Sequence, residues 1–305
     1  MTEAIDLCEL IERYGDDQKC RNYLEHLRWP HGVRCPECSS EKVSSILKRD
    51  QFDCDSCRYQ FSVTAGTIFH DTHLPLTKWF LATYLLCQSK KGMSAHQLHR
   101  MLKINYRTAW YLFHRIRFAV EQATEPKLSG IVEMDESYVG GRQRCGTRGW
   151  NTEDSNKEIV IGIRQRNGDL RFFHAEDAKS GTLGKYIKEN VGADVDVMMT
   201  DEFPAYPRAM MTAGVHGSKH KTIRHRDRVY VDGDIHTNTV ESAFSLLKRG
   251  IIGTWHRVSA KHLAAYLDEM TWRFNNRKNP YLLRDTMLKL IHSDKLEYKE
   301  LVKAA

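Results

Sequence analysis

The sequence predicts a multi-domain α/β protein: a small cysteine-held ribbon, a helical middle region, and a mixed sheet with helices packed on it. Three observations carry this. Four cysteines form two Cys-x-x-Cys pairs among short alternating segments, the hydrophobic period then lengthens to that of helices, and from about Ser129 strand-like and helix-like text alternates. The length of 305 residues suits roughly two domains with a large buried core.

The most apolar stretch, Trp79 to Cys87, has nine residues. A transmembrane helix needs roughly 20, so no membrane partner is expected. The acidic start MTEAIDLCEL is unlike a secretory leader, which points to a cytoplasmic, nucleoid-associated place. Net charge is +7, but its distribution matters more than its sum when the partner is a polyanion. Gln88 to Arg117 holds seven Lys or Arg and no Asp or Glu; His216 to Val229 holds five against one Asp.

Residues 1–30 read as an N-terminal helical segment and 31–66 as the ribbon. Cys35-Pro-Glu-Cys38 and Cys54-Asp-Ser-Cys57 are separated by fifteen residues, the spacing of a four-thiolate zinc site. Each knuckle aims two sulfurs at one tetrahedral ion, and a hairpin brings the knuckles together. Val43 to Leu47 and Gln51 to Cys54 flank the turn Lys48-Arg-Asp, and Tyr59 to Val63 alternates as a third strand. Four thiolates leave no open position, so the zinc is structural. Cys8, Cys20, Cys87 and Cys145 lack such spacing and read as small buried hydrophobes.

Residues 67–125 read as a helix-turn-helix-like region. Thr77 to Cys87 is an apolar helix ended by Ser89-Lys-Lys-Gly92; Ser94 N-caps a second helix to Leu102, and Tyr106 to Val120 is a third. On the last, Ala109, Leu112, Phe113 and Ile116 mark the inner face, while Arg107, His114, Arg115 and Arg117 are expected to reach DNA phosphates or base edges. A helical hairpin with a merely solvated basic surface is the alternative.

In residues 126–285, Gly130 to Val139, Glu158 to Arg164 and Leu170 to His174 read as three strands, Ser180 to Glu189 as a helix, and Ala193 to Thr200 as a buried strand. A further strand, Lys221 to Tyr230, precedes a helix from Thr237 to Lys248. This order is compatible with a ribonuclease-H-like sheet. It delivers Asp135 within the first strand, Asp201 at the end of the fourth and Glu241 on the later helix. Three hard oxygen donors around a cleft suit Mg2+ or Mn2+. Asn238, Glu241 and Lys248 share one helical face, which would put Lys248 beside a DNA phosphate. Residues 286–305 read as a charged tail.

Longer motifs carry a resemblance. They are Arg28-Trp-Pro-His-Gly-Val-Arg-Cys-Pro-Glu-Cys38, Thr67 to Trp79, Val132-Glu-Met-Asp-Glu-Ser-Tyr-Val-Gly-Gly141, Thr200-Asp-Glu-Phe-Pro-Ala-Tyr206, His236-Thr-Asn-Thr-Val-Glu-Ser242, Lys248-Arg-Gly250, Gly253-Thr-Trp-His256, Lys261-His-Leu263 and Arg273-Phe-Asn-Asn-Arg277. Over nearly its whole length the chain resembles the DDE transposases of bacterial insertion sequences, in the ISXO-like group with an N-terminal zinc ribbon. The resemblance implies a magnesium-dependent acidic triad and recognition of the element's terminal inverted repeats. Asp135 and Asp201 match its first two acids and Lys248 the basic residue after the third. The third ligand is Glu241, with Asn238 or His236 as alternatives.

The expected activity is metal-dependent nicking of the element's end followed by attack of the exposed 3′ hydroxyl on double-stranded target DNA, by a homo-oligomer holding two ends. Lys221, Arg224, Arg226 and Arg249 are expected to neutralise phosphates along the DNA path. Trp255 and His256 could position a terminal base or pack in the core. Two rivals remain: a DNA-binding regulator derived from an inactive transposase, which needs no separated acids, and a nuclease that stops at hydrolysis.

Overall fold

The computed structural model describes residues 5–121, 126–140, 157–223 and 236–303. The chain divides into two units, Met1–Glu121 with Asn276–Ala305, and Gln122–Asn275.

The first unit opens with α1 (Leu7–Tyr14) and α2 (Asp17–Arg28). Asp6 and Glu9 form a reciprocal capping box, each carboxylate accepting the other's backbone N–H at 2.9 and 3.1 Å. Next come β1 (Val43–Ile46), β2 (Gln51–Cys54) and β3 (Gln60–Phe61), an antiparallel sheet in that order. So small a sheet has a correspondingly small core, of Cys35, Cys54, Phe61 and Ala65 with Trp29 and Phe52 against it. Then follow α3 (Leu76–Gln88), α4 (Ala95–Leu102) and α5 (Tyr106–Ala119). Ser94 caps α4, accepting the Gln97 N–H at 3.2 Å, and Asn105 caps α5, accepting that of Arg107 at 2.8 Å. Lys103 between them is left-handed, φ 53°, which turns α4 sharply into α5. Helix-turn-helix order is therefore present.

The second unit contains β4 (Leu128–Gly140), β5 (Lys157–Gln165), β6 (Leu170–Ala175), α6 (Ser180–Asn190), β7 (Val191–Thr200), α7 (Tyr206–Ala213), β8 (His220–Thr222), α8 (Asn238–Gly250) and α9 (Ala260–Asn275). Its five-stranded sheet runs β6-β5-β4-β7-β8, antiparallel at the first two pairings and parallel at the last two. This is the ribonuclease-H-like arrangement. Val132 and Met134 of β4 face a core with Leu183 and Ile187 of α6 and Tyr206, Ala209 and Met210 of α7. Strand alternation turns Glu133, Asp135, Ser137 and Val139 the other way. On that second face Val139, Val160 and Phe172 pack against Val240, Phe244 and Leu247 of α8 and Leu263, Leu267 and Met270 of α9.

The chain then returns to the first unit as α10 (Leu282–His292) and α11 (Tyr298–Val302). Met287, Leu290 and Ile291 of α10 join Leu24, Trp79, Phe80 and Phe113 in one core. This differs from the expected catalytic region ending at 285 and charged tail from 286, because α10 is an amphipathic helix whose apolar face needs that core. Of the expected strand Lys221 to Tyr230, residues 224–230 lie outside the described residues. Cys8 is exposed rather than buried, Cys20 is buried, and Cys145 also lies outside the described residues.

Candidate active site

Parallel pairing of β4 with β7 sets Glu133 opposite Met199. Two residues further along each chain segment come Asp135, still within β4, and Asp201, the residue that follows β7. Residues abreast in a parallel pair share a face, and here it is the face that α8 covers. Glu241, in the first turn of α8, completes the group. The proximity is electrostatic as well: burial first, then the charges of Glu136, Asp201 and Glu241, push the Asp135 carboxyl up to about 8.

Local bonds fix each acid. Asp135 accepts the Glu136 N–H at 2.8 Å, Asp201 accepts that of Phe203 at 3.0 Å, and Glu241 accepts the Thr237 hydroxyl at 2.7 Å. On the opposite sheet face Glu136 accepts the hydroxyl of the fully buried Tyr206 at 2.6 Å, and burial pushes the Glu136 carboxyl up to about 7. Asn238, at the start of α8, and Lys248 are exposed. His236 is turned toward Arg166, with Nδ1 3.0 Å from the guanidinium and 3.4 Å from Glu133.

This donor set suits a hard divalent cation. Among the charges acting most strongly on Asp135 none is positive, so the carboxylates repel one another in a half-buried place. They are a looser set than the cysteines, the one group of three or more ligand residues among the described residues whose donor atoms all lie within 4.8 Å. There Cys35 Sγ lies 3.6 Å from Cys57 Sγ, and Cys38 Sγ 3.5 Å from Cys54 Sγ. A tetrahedral ion with zinc–sulfur bonds of about 2.3 Å requires sulfur separations of roughly 3.8 Å. The four thiols therefore fit structural zinc.

Comparison with known proteins bears on the whole chain. Residues 127–275 match the ISXO2-like transposase domain and residues 15–60 the transposase zinc-ribbon domain. A protein of Halobacterium salinarum described as an uncharacterized protein in transposable element ISH50 is 30% identical over 274 residues, 84% of this chain and 90% of that one. The chain belongs to the ISXO2-like transposase family. Two solved structures, the Mos1 strand transfer complex and a pre-cleavage Mos1 transpososome, share 12% and 10% identity at TM-scores of 0.29 and 0.24. They cover 70% and 68% of this chain, and the chain covers 74% and 77% of theirs. Likeness at that level carries no weight here.

In this ISXO2-like transposase several expected DNA contacts need correction. Arg115 and Arg117 are buried, at 6% and 2% exposure, and His114 is buried beside them. The Arg115 guanidinium donates to the carbonyls of Ile68 and His70 and stacks over the rings of Trp79 and Tyr111. Arg117 lies over the Phe113 ring at 5.4 Å. Both leave the set of DNA-facing residues. Arg107, Lys221 and Arg249 are exposed, whereas Arg224 and Arg226 lie outside the described residues. Trp255 packs in the core on Tyr266 at 4.9 Å, so it is no base-stacking platform.

Sequence reasoning missed Glu133, Glu136 and Tyr206. The signal for Tyr206 was present: an aromatic five residues beyond Asp201 opens α7 and faces the core.

Proposed function

We propose that this transposase binds the terminal inverted repeats of its element, nicks the DNA at the element's end and joins the resulting 3′ hydroxyl to a target phosphodiester. The observation that carries the reading is the gathering of Asp135, Asp201 and Glu241 at one sheet end under α8, with the Asp135 carboxyl raised by burial first and by its acidic neighbours second. Asp135, Asp201 and Glu241 hold Mg2+ or Mn2+, which when bound supplies charge stabilisation for the attacking and leaving oxygens of the phosphodiester. Asp135 and Asp201, on neighbouring strands, would offer their carboxylate oxygens to that cation from one side. Glu241, an anion, is the stronger hard-cation donor than the amide of Asn238. Lys248, exposed two turns along α8, neutralises a neighbouring phosphate.

DNA ends are bound by the exposed basic residues of the helix-turn-helix, His96, Arg100, Lys103 and Arg107, gathered on α4, its turn and the start of α5. Lys221 on β8 and Arg249 on α8 add contacts to DNA backbone on the second unit. Two copies act together, since two ends must be joined.

The test is a strand-transfer assay with a labelled element end and Mg2+ or Mn2+. Joined product is expected from wild type and Asn238→Ala, and is lost in Asp201→Ala and Glu241→Gln. Product from Glu241→Gln but not Asn238→Ala would move the third ligand to the amide. End binding by wild type with neither nicking nor joining would favour the regulator.

A further inference from the structure

We propose that Glu133 is a positioning residue that caps α8 from strand β4 and so holds Glu241 against Asp135. The inference rests on the reading of Asp135, Asp201 and Glu241 as a metal-binding site.

A helix leaves its first backbone N–H groups without partners, and an N-cap side chain ordinarily accepts those at the second and third helical positions. In α8 these are Thr239 and Val240. The residue at the N-cap, Thr237, makes no such bond; its hydroxyl is committed to Glu241 instead. Glu133, 106 residues earlier in the chain, does the capping. Its Oε2 accepts the N–H of Thr239 at 2.9 Å, the N–H of Val240 at 3.0 Å and the Thr239 hydroxyl at 2.7 Å. Its Oε1 accepts the Arg166 Nε–H at 2.7 Å.

The side chain is fully buried, at 0% exposure. A buried carboxylate persists only with charged and hydrogen-bonding partners, and this one has both. Arg166 also donates to the His236 carbonyl at 3.1 Å, fixing the chain just before the helix starts. Arg164, on the same neighbouring strand segment, donates to the Thr239 carbonyl at 2.5 Å. The first turn of α8 is thus gripped from the sheet at its N–H groups and at a carbonyl.

The consequence for the site is geometric. Glu133 and Asp135 stand two residues apart on one face of β4, so their spacing is set by the strand. Glu241 follows Val240 directly. Movement of α8 by one residue's rise, about 1.5 Å, would break both amide bonds to Glu133. One rigid strand therefore carries a member of the acidic group and the anchor for the helix that supplies another.

The experiment compares full-length, zinc-loaded wild type with Glu133→Gln, Glu133→Ala, Arg166→Lys and Asp135→Asn. Mn2+ binding is followed by the electron paramagnetic resonance of the free ion, beside thermal unfolding, end binding and nicking rate against Mn2+ concentration. Asp135→Asn is expected to abolish Mn2+ binding by the folded protein. Glu133→Gln keeps the volume and one acceptor oxygen, and is expected to fold and bind DNA ends as wild type does. It should need about tenfold more Mn2+ for half occupancy and nick more slowly at saturating metal. Glu133→Ala should lose more than Glu133→Gln, and Arg166→Lys should fall between wild type and Glu133→Ala. Wild-type Mn2+ affinity and nicking in folded Glu133→Gln would overturn the proposal, as would losses that vanish once rates are corrected for the folded fraction. If Asp135→Asn binds Mn2+ as wild type does, the metal-site reading itself fails, and the role of Glu133 falls with it.

Discussion

Gly162 of β5 stands directly opposite Asp135 of β4, and the absence of its side chain is what lets α8 lie close to the sheet there. A Cβ at Gly162 would meet Phe244 Cζ at 2.8 Å and atoms of Phe172 and Val240 at 3.0 Å. Two of these neighbours belong to α8 and the third to the adjacent strand, and all three are buried in the core that α8 shares with the sheet. Gly162→Ala is expected to lower stability by about 1–3 kcal/mol, the usual effect of overpacking. Chemical denaturation measures that cost. Nicking per folded molecule should fall as well, while Gly168→Ala, in the β5–β6 turn, should leave it unchanged.

The two buried carboxyls make a pH prediction. Asp135 is raised to about 8 and Glu136 to about 7, from ordinary values of 3.8 and 4.5. A folded pKa above the unfolded one means that the native state holds the proton more tightly. The resulting stability is complete below the ordinary values and is lost as pH rises through 7 and 8. With zinc bound and no other divalent cation, wild type should therefore melt progressively lower than Asp135→Asn across that window. Melting curves that run parallel at every pH would contradict it. Added Mn2+ should close the gap, because a cation favours the ionised carboxylates.

Arg107 and Arg115 sit two helical turns apart on α5 and should respond to different measurements. Arg107→Ala is expected to weaken end binding, reduce the slope of log affinity against log salt by about 1 and leave melting unchanged. Arg115→Ala leaves the Ile68 and His70 carbonyls short of a donor and strips the Trp79 ring of its cover. Its expected cost is about 2–4 kcal/mol of stability, with the salt slope intact. A changed slope in folded Arg115→Ala would return that residue to the DNA surface.

Zinc content is directly measurable. Elemental analysis should find one zinc per chain, and Cys54→Ser should lose it, because the remaining three sulfurs no longer close the tetrahedron. End binding is expected to fall with the zinc, whereas Mn2+ binding at the second unit should persist.

The acids of the candidate site were legible because their signals are local. Asp201 follows an apolar strand, Asp135 lies inside one, and both cysteine knuckles fall within a short stretch of chain. What was hidden depends on partners far away in sequence. Nothing near Thr237 announces that Glu133 will cap the helix. Arg115 and Arg117 looked like surface charges because a run without acids suggests an anionic ligand. Backbone carbonyls and aromatic faces, which no charge count reveals, satisfy Arg115 instead. No local signal ties α10 to the first unit, because its partners in α2, α3 and α5 lie some two hundred residues upstream.

That last arrangement has a consequence during synthesis. The second unit is one uninterrupted span, Gln122–Asn275, inserted within the first, whose core is completed only by α10. On the ribosome the acidic centre can therefore assemble while the helix-turn-helix unit still lacks Met287, Leu290 and Ile291. Completion of that unit waits for α10 to emerge, so the acidic group can form while the helix-turn-helix still lacks part of its core. The covalent crossings at 121–122 and 275–276 then join the two units at two points, and a single proteolytic cut at either would leave them tethered.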